Sequence, residues 1–149
     1  MKKLRQPTFS WDAETRTAVC ILVDEKNRTF IGEATCHPED YDMMSERVGC
    51  EIAFRRAKIQ YLRTVRDAEI KPALSTLQHL YGCMVHSTHF EANSYEARTI
   101  RKHIHQTTFD LATIKEMIAY EYQTLTEYIH GKDKLYKRIR ERDSKDKIN

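Results

Sequence analysis

The stretch HSTHFEANSYEARTIR, residues 86–101, combines the residue types that bind a nucleotide. Phe90 and Tyr95 supply aromatic rings, Asn93 an amide, and Arg98 and Arg101 guanidinium groups. Rings and guanidinium planes stack on bases, amides hydrogen-bond to base edges, and arginines pair with phosphates. These five residues are therefore the first candidates for a ligand site. The two rings could instead fill the core, which is a common use of aromatic side chains.

Two arginines interrupt an apolar stripe earlier in the chain. Spacings of four and three place the following residues on one side of a helix: Val48, Ile52, Arg55, Ile59, Leu62 and Arg66. An arginine in such a stripe must reach water, pair with a carboxylate or contact an anionic ligand. All three explanations stay open. With its neighbour Arg56, Arg55 joins the candidate ligand-binding residues.

Neither a metal site nor a catalytic motif is visible in the sequence. His86 and His89 are three residues apart, and His103 and His105 would face different sides of a helix. No cysteine or carboxylate is spaced to complete a tetrahedral site. Four glycines build no nucleophile elbow, Walker loop or GxGxxG turn. We therefore expect a binding protein and not an enzyme, with no catalytic residue, metal or cofactor.

The elements that must position these residues begin with a small sheet. The runs TAVCILV (17–23) and TFIGEATC (29–36) are rich in β-forming residues and predict a hairpin. Residues 8–11 could add a third, edge strand. The segment Pro38-Glu39-Asp40 should end the strand region, and Asp42 or Ser45 should cap the first long helix.

The rest of the chain predicts helices. Pro72 should kink the first helix or start a short new one that reaches Gly82. A polar loop over residues 83–93 follows, and Ser94 should cap a helix whose free N–H groups could help to hold phosphate. A second long helix is expected over 109–130, ending at Gly131, followed by a charged helical tail that frays beyond Asp143. The predicted fold is thus α+β, one domain over residues 1–149, with antiparallel strands in 8–37 and helices in 42–143.

Composition narrows the class of protein. The 149 residues carry 25 basic and 22 acidic side chains, a surplus too small for a protein held on nucleic acid mainly by charge. Four cysteines form no CxxC pair, and neither a signal peptide nor an apolar run of about 18 residues is present. A cytoplasmic protein with reduced, buried thiols is expected, and its thin sheet favours homo-oligomerisation.

The segment TFIGEATCHPEDYD followed by RVGCEIAFRRAKIQYLR resembles the phage Thoeris anti-defence family, type one. Members of that family join a hairpin ending in a G-x-A-x-C-H-P-E-D segment to a helix of this kind. The similarity covers about residues 16–66. Downstream it consists of the general layout, in which two further long helices follow a polar loop.

The resemblance implies a phage protein that acts in the host cytoplasm as a sponge. It would bind glycocyclic ADP-ribose isomers made by bacterial TIR proteins without cleaving them, and so block Thoeris immunity. The family forms dimers that can assemble into hexamers, with the signal held at protomer interfaces by an aromatic residue, an arginine and polar groups. Some members also bind cyclic oligonucleotides at separate sites.

Two other functions remain open. A hairpin followed by a helix that bears Arg55, Arg56 and Lys58 is similar to part of a double-stranded-RNA-binding fold, which predicts a nucleic-acid-binding module. Amphipathic helices alone would also suit an adaptor that inhibits a host protein.

Overall fold

The computed structural model describes residues 4–36 and 45–148, and it is 68% helix and 14% strand. The elements in chain order are β1 (Thr8–Asp12), β2 (Thr17–Val23), β3 (Thr29–Thr35), α1 (Glu46–Thr64), a π-helical segment (Val65–Ile70), α2 (Lys71–Val85) and α3 (Tyr95–Ile148). The α+β prediction is confirmed, including the third strand. The predicted break at 38–40 and the cap at Asp42 lie outside the described residues.

The chain divides into two compact units. The first unit comprises Met1–Tyr61 and Tyr120–Asn149, and the second comprises Leu62–Ala119. The single domain expected over residues 1–149 stays a prediction.

The first unit is built on an antiparallel sheet in the order β1-β2-β3. Alternation along β2 and β3 sends every second side chain inward, and these inward residues are buried: Ala18, Cys20, Leu22, Phe30, Gly32 and Ala34. Gly32 lies directly against the backbone of α1 at Ala53 and Ala57. The ring of Phe30 meets Tyr61 edge-on, with centroids 5.4 Å apart. Small residues therefore bring the sheet close to the helix.

The β2–β3 turn is organised by the buried carboxylate of Asp24. It accepts hydrogen bonds from the backbone N–H groups of Lys26 (3.0 Å) and Arg28 (2.9 Å) and from Arg28 Nε (2.7 Å). Asn27 takes the left-handed conformation that the turn requires, with φ of 60°. Burial pushes the pKa of Asp24 upward, but these hydrogen bonds and the Arg28 charge outweigh it and leave the pKa below its usual value.

The serine caps of the helices agree with the predictions, whereas the end of α2 does not. Ser45, at the start of α1 in the first unit, and Ser94 both act as N-caps as expected, because Ser45 Oγ accepts from Val48 N–H and Ser94 Oγ from Ala97 N–H. Pro72 lies in the first turn of α2, so the predicted new helix at this proline is confirmed. The π-helical segment precedes it, and α2 then continues past Gly82 to Val85.

The three helical segments predicted after the loop, including the charged tail, form one helix. α3 runs without interruption from Tyr95 to Ile148, so the predicted end at Gly131 is wrong. Gly131 has no positive φ, and it is simply a helical residue. Among the helices that the structure describes, none combines the length and the apolar character needed to cross a bilayer.

Candidate ligand site

The second unit contains all five aromatic, amide and arginine candidates of residues 86–101, but they do not form one cluster. Phe90 packs edge-on against Tyr81, with ring centroids 6.2 Å apart. Arg101 Nη1 donates a hydrogen bond of 3.2 Å to the Tyr81 hydroxyl. Asn93 is exposed in the turn before α3. Phe90 and Arg101 are therefore linked through Tyr81, a residue of α2 that is not among the predicted site residues.

Tyr95 and Arg98 lie together in a surface cleft of about 560 Å³. The cleft is lined by Tyr95, Arg98, Thr99, Lys102 and His103, which recur at intervals of three and four along one face of α3. Tyr95 is 73% exposed, so its ring does not fill core. The volume is in the range of small-molecule sites, roughly 300–1,000 Å³.

The cleft of α3 has a cationic and aromatic lining with no carboxylate. The side chains of Arg98 and Lys102 are exposed, and neither forms an ion pair with any described residue. Thr99 uses its hydroxyl locally, because Oγ1 donates to the Tyr95 carbonyl at 2.7 Å. An arginine, a lysine and a ring on one surface suit a phosphate and a base. Lys102 is not among the site residues predicted from the sequence, although its spacing of four from Arg98 places it on the same helical face.

A second cleft of about 340 Å³ contains Phe90 and is chemically different. Its lining residues are Met84, Ser87, His89, Phe90, Glu91, Ser94 and Glu96. Two carboxylates make this cleft a poor place for a phosphate. A nucleotide held by Phe90 there would have to present its base or ribose and keep its phosphates outside.

The remaining candidates, Arg55 and Arg56, belong to the first unit and have structural partners. Arg55 Nε donates to Glu51 at 2.8 Å, and its guanidinium lies 5.4 Å from the centre of the Tyr128 ring. Arg56 Nη1 donates to the Glu33 carbonyl at 2.7 Å. Of the three explanations for Arg55, an internal ion pair describes what its side chain does. Whether Arg55 or Arg56 also contacts a ligand stays a prediction.

These contacts bear on the nucleic-acid alternative as well. That hypothesis needs Arg55, Arg56 and Lys58 to face a duplex, yet Lys58 Nζ lies 2.7 Å from Glu121 Oε1. All three basic side chains thus have acceptors inside the first unit. The charged groups of these three side chains therefore interact partly or wholly within the protein and not with a duplex.

Other titratable groups have structural explanations. Burial raises the pKa of Tyr128, and the nearby Glu51 carboxylate adds to this effect. Hydrogen bonds from Arg66 and Lys71 lower the pKa of Asp67, so the second arginine of the apolar stripe is also paired. Within 4–36 and 45–148, no three histidine, cysteine or acidic side chains come together as a metal site.

Comparisons with protein family models, with curated proteins and with solved structures found no significant match to this chain.

Proposed function

We propose that this protein is an anti-defence sponge that sequesters a cyclic ADP-ribose signal, glycocyclic ADP-ribose, without cleaving it. The observation that carries the proposal is the cleft of α3, where Tyr95, Arg98 and Lys102 share one helical face. A cyclic ADP-ribose isomer presents an adenine, ribose hydroxyls and two phosphates. Stacking on the tyrosine and pairing of the phosphates with the two cations would engage each part of such a ligand.

The one-sided lining of this cleft supports a homo-oligomer. All five lining residues come from a single helix, so the cleft offers one wall to a ligand. Tight binding of a small molecule buries most of its surface, which one wall cannot do. A second copy of the chain would supply the opposite wall, as expected for a ligand bound between protomers.

The apolar surface of the second unit also supports association. No residue of α2 is buried, although this helix contains several large apolar side chains. Leu80 is 48% exposed, Val85 43% and, on α3, Phe109 66%. Exposed apolar residues at this density are typical of surfaces that another chain covers.

Sequestration without chemistry fits the lining of the cleft. Hydroxyl, guanidinium and ammonium groups bind phosphate well, and the one imidazole of the lining, His103, has no carboxylate or thiol beside it in the cleft to complete a catalytic pair. We therefore propose a protein that returns its ligand unchanged.

Calorimetric titration with cyclic ADP-ribose isomers tests this function. The wild-type chain should bind one isomer, and Arg98→Ala should weaken binding about 10- to 100-fold through loss of a charge-assisted hydrogen bond. Lys102→Ala should act in the same direction. Lys115→Ala, which removes an exposed lysine of α3 outside the cleft, is the matched control and should bind normally.

The ligand recovered after denaturing the complex separates sequestration from catalysis. Mass spectrometry should return the intact cyclic compound in the amount that was bound. A linear or hydrolysed product would show that the protein is an enzyme. Equal affinity of wild type, Arg98→Ala and Lys102→Ala would place the site elsewhere.

A further inference from the structure

The two edges of the sheet in the first unit are treated differently. On the β3 edge, the Ile31 N–H donates to Gln60 Oε1 at 3.2 Å, and the Glu33 carbonyl accepts from Arg56 Nη1 at 2.7 Å. Side chains of α1 thus form hydrogen bonds with the backbone groups to which another strand would have to bind. This edge is closed to strand pairing, as natural sheets often arrange.

The register shows which groups lie on the opposite, β1 edge. Because Ile31 and Glu33 turn their backbone groups outward, their partners on β2, Ile21 and Val19, turn theirs toward β1. These two residues pair with Thr8 and Ser10, respectively. The alternate residues of β1, Phe9 and Trp11, therefore direct their N–H and C=O groups away from the sheet.

No hydrogen bond within residues 4–36 and 45–148 reaches those four outward groups. Phe9 is 44% exposed, and its ring lies on the helix side of the sheet, 6.5 Å from the ring of Phe54. Trp11 shares that side, because residues two apart in a strand face the same way. The edge combines free donors and acceptors with a partly uncovered aromatic pair.

We propose that β1 pairs with β1 of a second copy of this chain, antiparallel about Ser10, to give a continuous six-stranded sheet. In this register Phe9 lies opposite the partner's Trp11, and the outward groups of the two residues form four hydrogen bonds over the two-fold axis. The aromatic side chains meet as cross-strand pairs on the apolar side of the sheet.

The strand sequence selects this register over its neighbours. A register shifted by two residues in one direction places Pro7 opposite Trp11, and Pro7 has no N–H to donate. A shift by two residues in the other direction places Ala13 opposite Phe9, and Ala13 lies in the turn after β1. In the proposed register, the single charged residue of the strand, Asp12, lies opposite Thr8. No like charges meet across the new pair of strands.

The size of the contact sets the expected strength. Each strand has five residues, and each aromatic ring buries roughly 150–250 Å² when it is fully covered. Phe9 has 44% of its surface left to cover and Trp11 is only partly exposed, so four rings and two short strands together bury several hundred Å², below the roughly 1,200 Å² of stable specific interfaces. The β1 dimer is therefore a weak, reversible one, with a dissociation constant on the order of 100 μM.

Sedimentation of the full-length chain from about 1 μM to about 1 mM, with paired variants, tests the β1 dimer. Phe9→Ala removes the ring and keeps the outward N–H, whereas Phe9→Pro removes both and leaves the bonds to β2 intact. We expect about tenfold weaker dimerisation for Phe9→Ala and about a hundredfold for Phe9→Pro. An unchanged far-ultraviolet circular dichroism spectrum and a cooperative melting transition show that each variant is folded, although loss of the contact with Phe54 lowers the melting temperature itself.

Hydrogen exchange gives a second measurement that does not depend on a variant. The amides of Phe9 and Trp11 should become protected as the wild-type protein is concentrated, while the amide of Ser10, which faces β2, should be protected throughout. A further variant, Arg56→Ala with Gln60→Ala, opens the β3 edge and should give species larger than the dimer.

A wild-type chain that is monomeric up to millimolar concentration, or that dimerises equally well as Phe9→Pro, would overturn the proposal. So would amides of Phe9 and Trp11 that exchange at the same rate at all concentrations. The β1 edge belongs to the first unit and does not depend on the proposed ligand cleft. Ligand binding lost in Arg98→Ala and dimerisation lost in Phe9→Pro are therefore separate results.

Discussion

Gly32 should tolerate a side chain far less well than Gly82 or Gly131. It lies in β3 on the buried side of the sheet, against the backbone of α1. A Cβ at this position would overlap the carbonyl oxygen of Ala53 and lie 2.5 Å from the backbone nitrogen of Ala57. Both are main-chain atoms inside a helix, so no rotamer change can relieve the overlap. Strand and helix would have to move apart.

The sign of the Gly32→Ala effect follows from two opposing contributions. Replacing glycine by alanine in a strand stabilises by about 0.5–1 kcal/mol where space allows, because the unfolded chain loses freedom. Overpacking a close contact costs about 1–3 kcal/mol, and main-chain contact puts Gly32 at the upper end. We expect a net loss of about 2 kcal/mol, which lowers Tm by roughly 4–8 °C.

Gly131→Ala is the matched control. Gly131 lies in the interior of α3, where a Cβ meets nothing within 4 Å. The same substitution should there raise the stability by about 1 kcal/mol, since alanine is the better helix former. Urea unfolding followed by circular dichroism at one fixed protein concentration measures both variants, because association would otherwise shift the midpoints.

Opposite shifts of the two urea midpoints are the expected result. A Gly32→Ala chain as stable as the wild type would refute the close packing of β3 on α1. Adding Ala53→Gly should not rescue Gly32→Ala, because the clash involves the carbonyl of Ala53 and not its side chain. Rescue would show that the contact is misassigned.

Three further predictions concern stability and reactivity. Lys58→Met should lower the free energy of unfolding by about 2 kcal/mol in urea, because it leaves the buried Glu121 carboxylate without its cationic partner. Adding Glu121→Leu should recover at least half of this loss. The folded pKa of Asp24 lies below its unfolded value of about 3.9, so the stabilisation that this carboxylate provides is present above that pH and is lost as pH falls through the folded pKa. Asp24→Asn should therefore flatten the decline of the urea midpoint between pH 5 and acid. An unchanged slope would contradict this assignment. Cys83 is exposed and Cys20 is buried, so a thiol reagent should modify Cys83 rapidly in the native protein and reach Cys20 only on unfolding, with the fast phase absent in Cys83→Ser.

The sheet could be predicted from the sequence because its signals are local. Alternating β-forming residues, a polar turn with Asp24 and Asn27, and a short flanking run define three strands without reference to distant parts of the chain. The caps at Ser45 and Ser94 are equally local.

The helix ends were harder to predict because a helix former can override a helix breaker. Gly131 costs about 1 kcal/mol in a helix, but it is followed by a long run of lysines, arginines and other good helix formers. Pro72 lacks an N–H, and a change in helix type before it accommodates the missing donor. Sequence rules give the free-energy cost of placing one residue in a helix, whereas the sum of these costs and gains over the whole segment decides whether the helix continues.

The candidate site could be predicted only in its composition. Residue types from Phe90 to Arg101 indicated a ligand-binding surface, but which side chains share a cleft depends on contacts between elements. Arg101 turns to Tyr81, twenty residues earlier in the chain. Arg56 turns to a strand carbonyl. No spacing rule within one helix anticipates such partners.

The π-helical segment Val65–Ile70 has a consequence for how this chain tolerates changes in length. Its turns hold more residues than α turns, as the bond from Lys71 N–H to the Arg66 carbonyl five residues back shows. Deleting one residue there could be absorbed by a return to α geometry. The same deletion within α2 would rotate every later side chain of that helix by about 100°. This short stretch is therefore where the second unit can lose a residue and still keep the facing of its downstream helix.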